Sequence, residues 1–400
     1  MRLETQRYTE RFGSVRLNDV QQVLELDSGK PEDTASIEFF TGVLKINENI
    51  INTYERKMAI VIPVMDEKLK LFEGVVSGVP HDCLLIVVSN SQRQRIDRFR
   101  MERDALRQYC HFTRREALIF HQKDQLLADA LKEAGYSELL GDDGLLRSGK
   151  SEAMMAAMLI AKVAKKDYVG FIDADNYFPG SVLEYARCYA AGFSLASSPY
   201  VMIRILWRYK PKVSAGMFFR KWGRVSEISN RYINSLISAN TGFETEIVKT
   251  GNAGEHAMSL ALAEILPYAS GYAIEPQELL SIFEGFGGVL PMAQTKAAKQ
   301  GVEILQIESR NPHLHEEKGG RHLQEEMLLP GLSAVYHSRL CDENTRKGII
   351  KELKYQKIIK KEKEIPPKPK LYRALRSIDL DKFQECMDDK LETYSALVVD

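Results

Sequence analysis

Two stretches of the sequence carry residue types at spacings that could do chemistry: FIDADN at 171–176 and GLLRSGKS at 144–151. In the first, Asp173 and Asp175 stand two residues apart behind an apolar run, and at a strand end that spacing sends both side chains to one side. Crowded carboxylates repel each other unless a cation shares them. A divalent ion bridging the pair to a diphosphate would neutralise both the acids and a leaving group. The plainer reading is a helix-capping turn, because Asp-Asn shortly before Pro179-Gly180 is also good turn chemistry.

The second stretch fits the phosphate-loop pattern G-x-x-x-x-G-K-[ST] at Gly144, Gly149, Lys150 and Ser151. A nucleotide triphosphatase hangs that loop from a buried strand. Here the preceding YSELLGDDG carries Glu138, Asp142 and Asp143, which cannot line a buried strand and would repel bound phosphates. VGFIDAD could serve as a Walker-B segment, so a P-loop ATPase or kinase using 144–151 is kept as the alternative. In the preferred reading, Gly149 and Lys150 open an alanine-rich helix with Ser148 as cap and Ser151 assisting. Its free amides, with Arg147 and Lys150, would then meet a phosphate. An ordinary capped helix with a solvent-facing lysine accounts for the same residues.

These residues need a scaffold, and the pattern around them supplies one. MAIVIPV at 58–64 reads as a strand buried on both faces, followed by a helical stretch, the strand at 83–89, a charged helix and a short strand ALIFHQ. Next come the helix QLLADALKEAG, the polar loop, the helix SEAMMAAMLIAKVAKK and the strand DYVGFIDADN. This alternation predicts an α/β fold with a mostly parallel central sheet flanked by helices. LASSPYVMIRI, GYAI and VEILQI are candidate later strands. From about Asp342 the chain is charged and helical. KKEKEIPPKPK reads there as an exposed linker before a last helix at 380–394. The expected organisation is an N-terminal segment at 1–55, an α/β half at 56–200, a second half at 201–340 and a helical extension at 341–400, the two halves being the nucleotide-sugar and acceptor halves of the family resemblance described below.

Composition narrows the function classes. Lysine plus arginine and aspartate plus glutamate number 55 each, so no global field draws the chain to nucleic acid or an anionic bilayer. The five cysteines lack C-x-x-C spacing, which argues against a disulfide framework or structural zinc. With no apolar run near the ~18 residues of a membrane span and a charged start, the expectation is a soluble cytoplasmic protein.

The strand pattern IVIPVMDE together with Asp-x-Asp looks like the GT-A, Rossmann-like glycosyltransferases. ERFGSVRLNDVQQVLELDSG, RSGKSEAMM before FIDADNY, GNAGEHAM at 251–258 and ESRNPHLHEEKGG at 308–320 together resemble the mannosyl-3-phosphoglycerate synthase family over most of residues 1–340. That resemblance implies metal-dependent transfer of mannose from GDP-mannose to 3-phosphoglycerate with retention of anomeric configuration. A related glycosyltransferase with another sugar donor or acceptor is the nearer alternative. The resemblance also implies that Asp175 is the main metal ligand, with Asp173 near the ribose or the metal.

A third ligand is expected from NPHLHEE, where the family pattern ranks His315 ahead of His313. Imidazole suits Mn, Co or Zn better than Mg, although an exposed loop pair is the plain reading of these histidines. Strand ends place Pro63, Val64 and Glu67, then Ser89, Asn90 and Ser91, on the edge that meets a nucleotide, with Gln122, Lys123 and Asp124 as weaker candidates. Glu67 could instead simply begin the following helix. The anionic acceptor needs concentrated positive charge. Arg147 and Lys150 compete for it with the basic stretch Arg204, Arg208, Lys210, Lys212, Arg220, Lys221 and Arg224. That stretch also fits single-stranded nucleic acid or an amphipathic surface. Asn252 and Glu255 read as a capping box, and in the family reading they border the acceptor, Glu255 orienting its hydroxyl. No side chain stands out as a covalent nucleophile. A homodimer is one assembly the sequence allows.

Overall fold

The computed structural model describes residues 1–26, 37–40, 42–176, 178–207, 210–214, 217–221, 224–291, 296–313, 326–360, 364–388 and 395–397. At the centre of a 13-stranded sheet lie β1 (Val15–Glu25), β2 (Met58–Val64), β3 (Leu84–Ser89), β4 (Ala117–His121), β5 (Tyr168–Phe171), β6 (Val201–Trp207), β7 (His256–Ser259) and β8 (Val302–Ser309). Their spatial order is β4-β3-β2-β5-β7-β6-β8-β1. Each pairs in parallel with its neighbours except β7, which runs antiparallel to both β5 and β6. Short antiparallel strands extend both ends: Ser395–Leu397 beside β4, and Arg2–Glu4 and Thr9–Phe12 beside β1.

The strands are apolar throughout because both faces are covered. Along β2, Met58, Ile60, Ile62 and Val64 join one core while Ala59 and Val61 join the other. Four helices cover the first face: α1 (Glu48–Arg56), α2 (Leu69–Gly78), α3 (Arg98–Thr113) and α6 (Pro179–Leu195). The opposite face carries α4 (Gln125–Glu133), α5 (Lys150–Val163), α7 (Arg224–Thr241), α8 (Ile274–Phe286), α9 (Leu329–His337), α10 (Glu343–Tyr355) and α11 (Leu380–Asp388). Helix α5 is surrounded, with every residue from Ser151 to Ala161 buried. Its small and flexible side chains, alanine and methionine, suit a helix that must pack on all sides.

Three sequence expectations change. GYAI is no strand: Gly271–Ala273 forms a 3-10 turn and Ile274 opens α8. The last helix stops at Asp388, and Ser395–Leu397 pairs with β4; residues 389–394 lie outside the described set. GNAGEHAM supplies β7, an antiparallel strand that the parallel α/β pattern did not suggest. All five cysteines are free thiols. Among the described residues no helix is long and apolar enough to cross a membrane.

Candidate active site

Strand β5 ends at Phe171, two residues before Asp173, so strand alternation does not aim the two acids. A turn does. Asn176 donates from Nδ2 to the Asp173 carbonyl (2.9 Å) and to Glu255 Oε1 (3.0 Å), folding FIDADN back over the start of β7. Glu255 is fully buried there and its Oε2 has no hydrogen-bond partner. Burial first, then the charge of Asp173 and, more weakly, that of Asp175, push its carboxyl up to about 8 against the opposing Asn176 bond and Lys150.

Lys150 Nζ lies 2.7 Å from Asp173 Oδ1 and 2.9 Å from Glu275 Oε1 at the start of α8. Burial would lower the ammonium's pKa, but the two carboxylates outweigh it and raise it well above the ordinary lysine value, so Lys150 stays charged. Gly254 closes the cluster: a Cβ there would stand 2.7 Å from Asp173 Oδ2 and 3.5 Å from Lys150 Nζ. A side chain there would have to displace the Asp173 carboxylate. Gly254, Glu275 and Asn176 do not stand out in the sequence. Gly254 lies inside GNAGEHAM, whereas Glu275 is brought in by tertiary packing that no local pattern records.

The loop ahead of Lys150 is not hung from a strand. Residues 137–139 form a 3-10 turn, and Leu140 bridges Leu146 across the tight turn between them. Gln122, just past β4, donates to the carbonyls of Arg147 (2.5 Å) and Gly149 (3.0 Å) and pins the loop to the sheet edge. Ser148 is exposed and does not cap α5; Gly149 is the N-cap residue, without a side-chain cap bond, and Ser151 Oγ is buried with no partner. Arg147 is half-buried, its Nε also unpartnered.

The other strand ends gather on the same edge. Asn90 N donates to the Val64 carbonyl, Gln122 N to the Ser89 carbonyl, and Asp66 N to Ser91 Oγ. Pro63, Glu67, Asn90 and Lys123 are half-buried along one rim, while Val64, Ser89 and Ser91 are buried beneath it. Ser89 and Ser91 both donate hydroxyls to buried Glu102 (2.6 and 2.5 Å), Glu67 accepts from the Met65 amide (2.5 Å), and Lys123 pairs with Asp143 (3.1 Å). Asp124 caps α4 by accepting from the Leu126 amide.

The capping-box reading of Asn252 and Glu255 fails, since this loop feeds strand β7 and not a helix. Asn252 is buried with Oδ1 unpartnered. Arg204 is not part of a basic surface. It is fully buried, donating to the carbonyls of Thr250 (2.8 Å), Gly251 (3.3 Å) and Glu275 (3.1 Å) and pairing with Glu278, so it fastens the Gly254 loop to the start of α8. Arg208 and His315 lie outside the described residues. His313 is buried, stacked on Trp207 with ring centroids 4.1 Å apart, and its Nδ1 is 3.4 Å from Tyr185 Oη.

Among the described residues no group of three or more His, Cys, Asp and Glu side chains is arranged to hold a metal ion. Asp173 and Glu275 are balanced there by Lys150, and the buried Glu255 carboxyl beside them has one oxygen without a hydrogen-bond partner.

Comparison with known proteins places the chain in a family. The family described as mannosyl-3-phosphoglycerate synthase (osmo_MPGsynth) matches residues 5–387. The mannosyl-3-phosphoglycerate synthase of Pyrococcus furiosus is 43% identical over 395 residues, 98% of each chain. That of Aeropyrum pernix is 35% identical over 384 residues, 96% of each chain. A solved structure of glucosyl-3-phosphoglycerate synthase from Mycobacterium tuberculosis, with Mn2+, UDP and phosphoglyceric acid, is 19% identical with a TM-score of 0.47, covering 71% of this chain and 82% of that one.

Proposed function

The chain belongs to the mannosyl-3-phosphoglycerate synthase family and is a glycosyltransferase, and from that premise we propose that it transfers mannose from GDP-mannose to 3-phosphoglycerate, releasing GDP, at the cluster formed by Asp173, Asp175, Lys150 and Glu255. The observation that carries the site assignment is the convergence of Asp173, Glu275 and Gly254 on the Lys150 ammonium at the carboxyl end of β5. In open α/β sheets that end of the strands is where ligands dock.

The rim from Pro63 to Lys123 is proposed to take the nucleotide. The α5 start, with Arg147, Ser148 and the Gly149 amide, would take the acceptor's phosphate. Two of the three N–H donors of Lys150 go to carboxylates, which leaves one for a phosphate oxygen. Asp175 and Asp173, with an imidazole from 313–315, would hold a divalent ion (Mg, Mn, Co or Zn), whose charge would neutralise the diphosphate as it leaves. Asn252 and Glu255 are proposed to orient the acceptor. No side chain is assigned as nucleophile. Transfer is therefore read as same-face: the acceptor oxygen bonds to the mannose anomeric carbon as its bond to phosphate breaks, and the hydroxyl proton passes to a phosphate oxygen of GDP. A trapped mannosyl-enzyme adduct would contradict this.

The test is incubation with GDP-mannose, 3-phosphoglycerate and divalent metal, with product mass analysis. Mannosyl-3-phosphoglycerate is the expected product. Release of inorganic phosphate from ATP without it would favour the P-loop alternative.

A further inference from the structure

Two residues past Lys150, Glu152 is buried within the first turn of α5 and has three partners from distant parts of the chain. Its Oε1 accepts from Ser270 Oγ (2.6 Å) and from Tyr372 Oη (2.6 Å), and its Oε2 accepts from the Gly271 amide (3.4 Å). The same carboxylate fills the space beside Gly149, where a Cβ would collide with Oε2. Ser270 and Gly271 lead directly into α8 and Glu275, the second carboxylate on Lys150.

Tyr372 belongs to the C-terminal tail. Leu371 and Tyr372 pair antiparallel with Tyr268 and Ala269, and the Ser270 amide donates to the Lys370 carbonyl (2.9 Å). Further along, Arg373 N and Lys370 Nζ bond Glu138, Tyr136 donates to the Arg373 carbonyl, and the Asp379 amide donates to Ala134. Burial, followed by the Glu152 hydrogen bond, raises the Tyr372 phenol's pKa, so it remains a donor at neutral pH.

We infer that the tail is a strap across the catalytic cluster, and that Tyr372 is a positioning residue acting through Glu152 to fix Lys150 against Asp173 and Glu275. Glu152 joins the three segments whose relative placement sets the ammonium: the α5 start, the α8 start and the strap. Misplacing a charged group by about 1 Å costs on the order of 100-fold in rate. Losing one of three bonds to Glu152 should cost less.

This inference rests on the proposed site, and the experiment separates the two. Tyr372→Phe keeps the ring and removes the one donor. Tyr136→Phe is the control, because Tyr136 bonds the same strap without touching Glu152. Tyr372→Phe is expected to lower kcat about tenfold with both KM values within about twofold, while Tyr136→Phe stays within about twofold of wild type at a similar unfolding midpoint. Full turnover in Tyr372→Phe, or equal losses in the two tyrosine variants, would each overturn the strap. Full activity in Lys150→Met alone would instead overturn the site assignment.

Discussion

At the scale of single residues the site is a charge balance held in a small space. Gly254→Ala would place a methyl 2.7 Å from Asp173 Oδ2, inside contact distance, and push the carboxylate off Lys150. Turnover should fall by a factor of about 100 or more, the order-of-magnitude cost of misplacing a catalytic group, with a melting curve close to wild type. Normal turnover in that variant would mean that the approach is unimportant. Lys150→Met removes the cation from Glu275, whose side chain is only 4% exposed, and should destabilise the fold by about 3 kcal/mol in denaturant titration as well as abolishing transfer. The Gly-Lys helix start was legible in the sequence because its signal is local, whereas the acid pair is aimed by a turn and not by strand alternation. Glu275 and the buried role of Arg204 were not legible, since a run of basic residues does not say which arginine the fold turns inward.

Elements position these residues, and their boundaries carry their own consequences. Because β5 ends at Phe171 and the turn is tied by Asn176, Asn176→Ala should free both Asp173 and Glu255 and reduce kcat more than KM, about tenfold, on the scale of one lost buried hydrogen bond. On the other face, Glu55 of α1 is buried 4.0 Å from Arg187 Nε. Burial, opposed by Arg187 and aided by Glu48 and Asp82, pushes its carboxyl from 4.5 up to about 7. The folded chain thus keeps a proton that the unfolded chain has lost. Its stability penalty is absent below pH 4.5 and grows as pH rises toward 7, to about 3 kcal/mol at most. Glu55→Gln should flatten that slope in thermal melts between pH 5 and about 8; an unchanged slope would show that Glu55 titrates normally. The parallel strands and α5 were readable from continuous apolar runs. β7 was hidden because GNAGEHAM looks like a helix start when its neighbours are unknown.

For the whole molecule, one sheet gathers distant segments at one edge: the ends of β2, β3, β4 and β5, the start of β7, and the starts of α5 and α8. The α/β class and most strands followed from alternation alone. The docking of the tail did not, because a charged, proline-broken sequence gives no sign that Tyr372 reaches into the core to meet Glu152. The proposed chemistry turns on the acids at 173 and 175 holding an activated sugar nucleotide through a divalent ion. Calorimetric titration of GDP-mannose into the enzyme with and without Mn2+ decides whether they do. Metal-dependent binding is expected for the wild type and should be lost in Asp175→Ala; equal binding in both proteins, or in both conditions, would rule the metal bridge out.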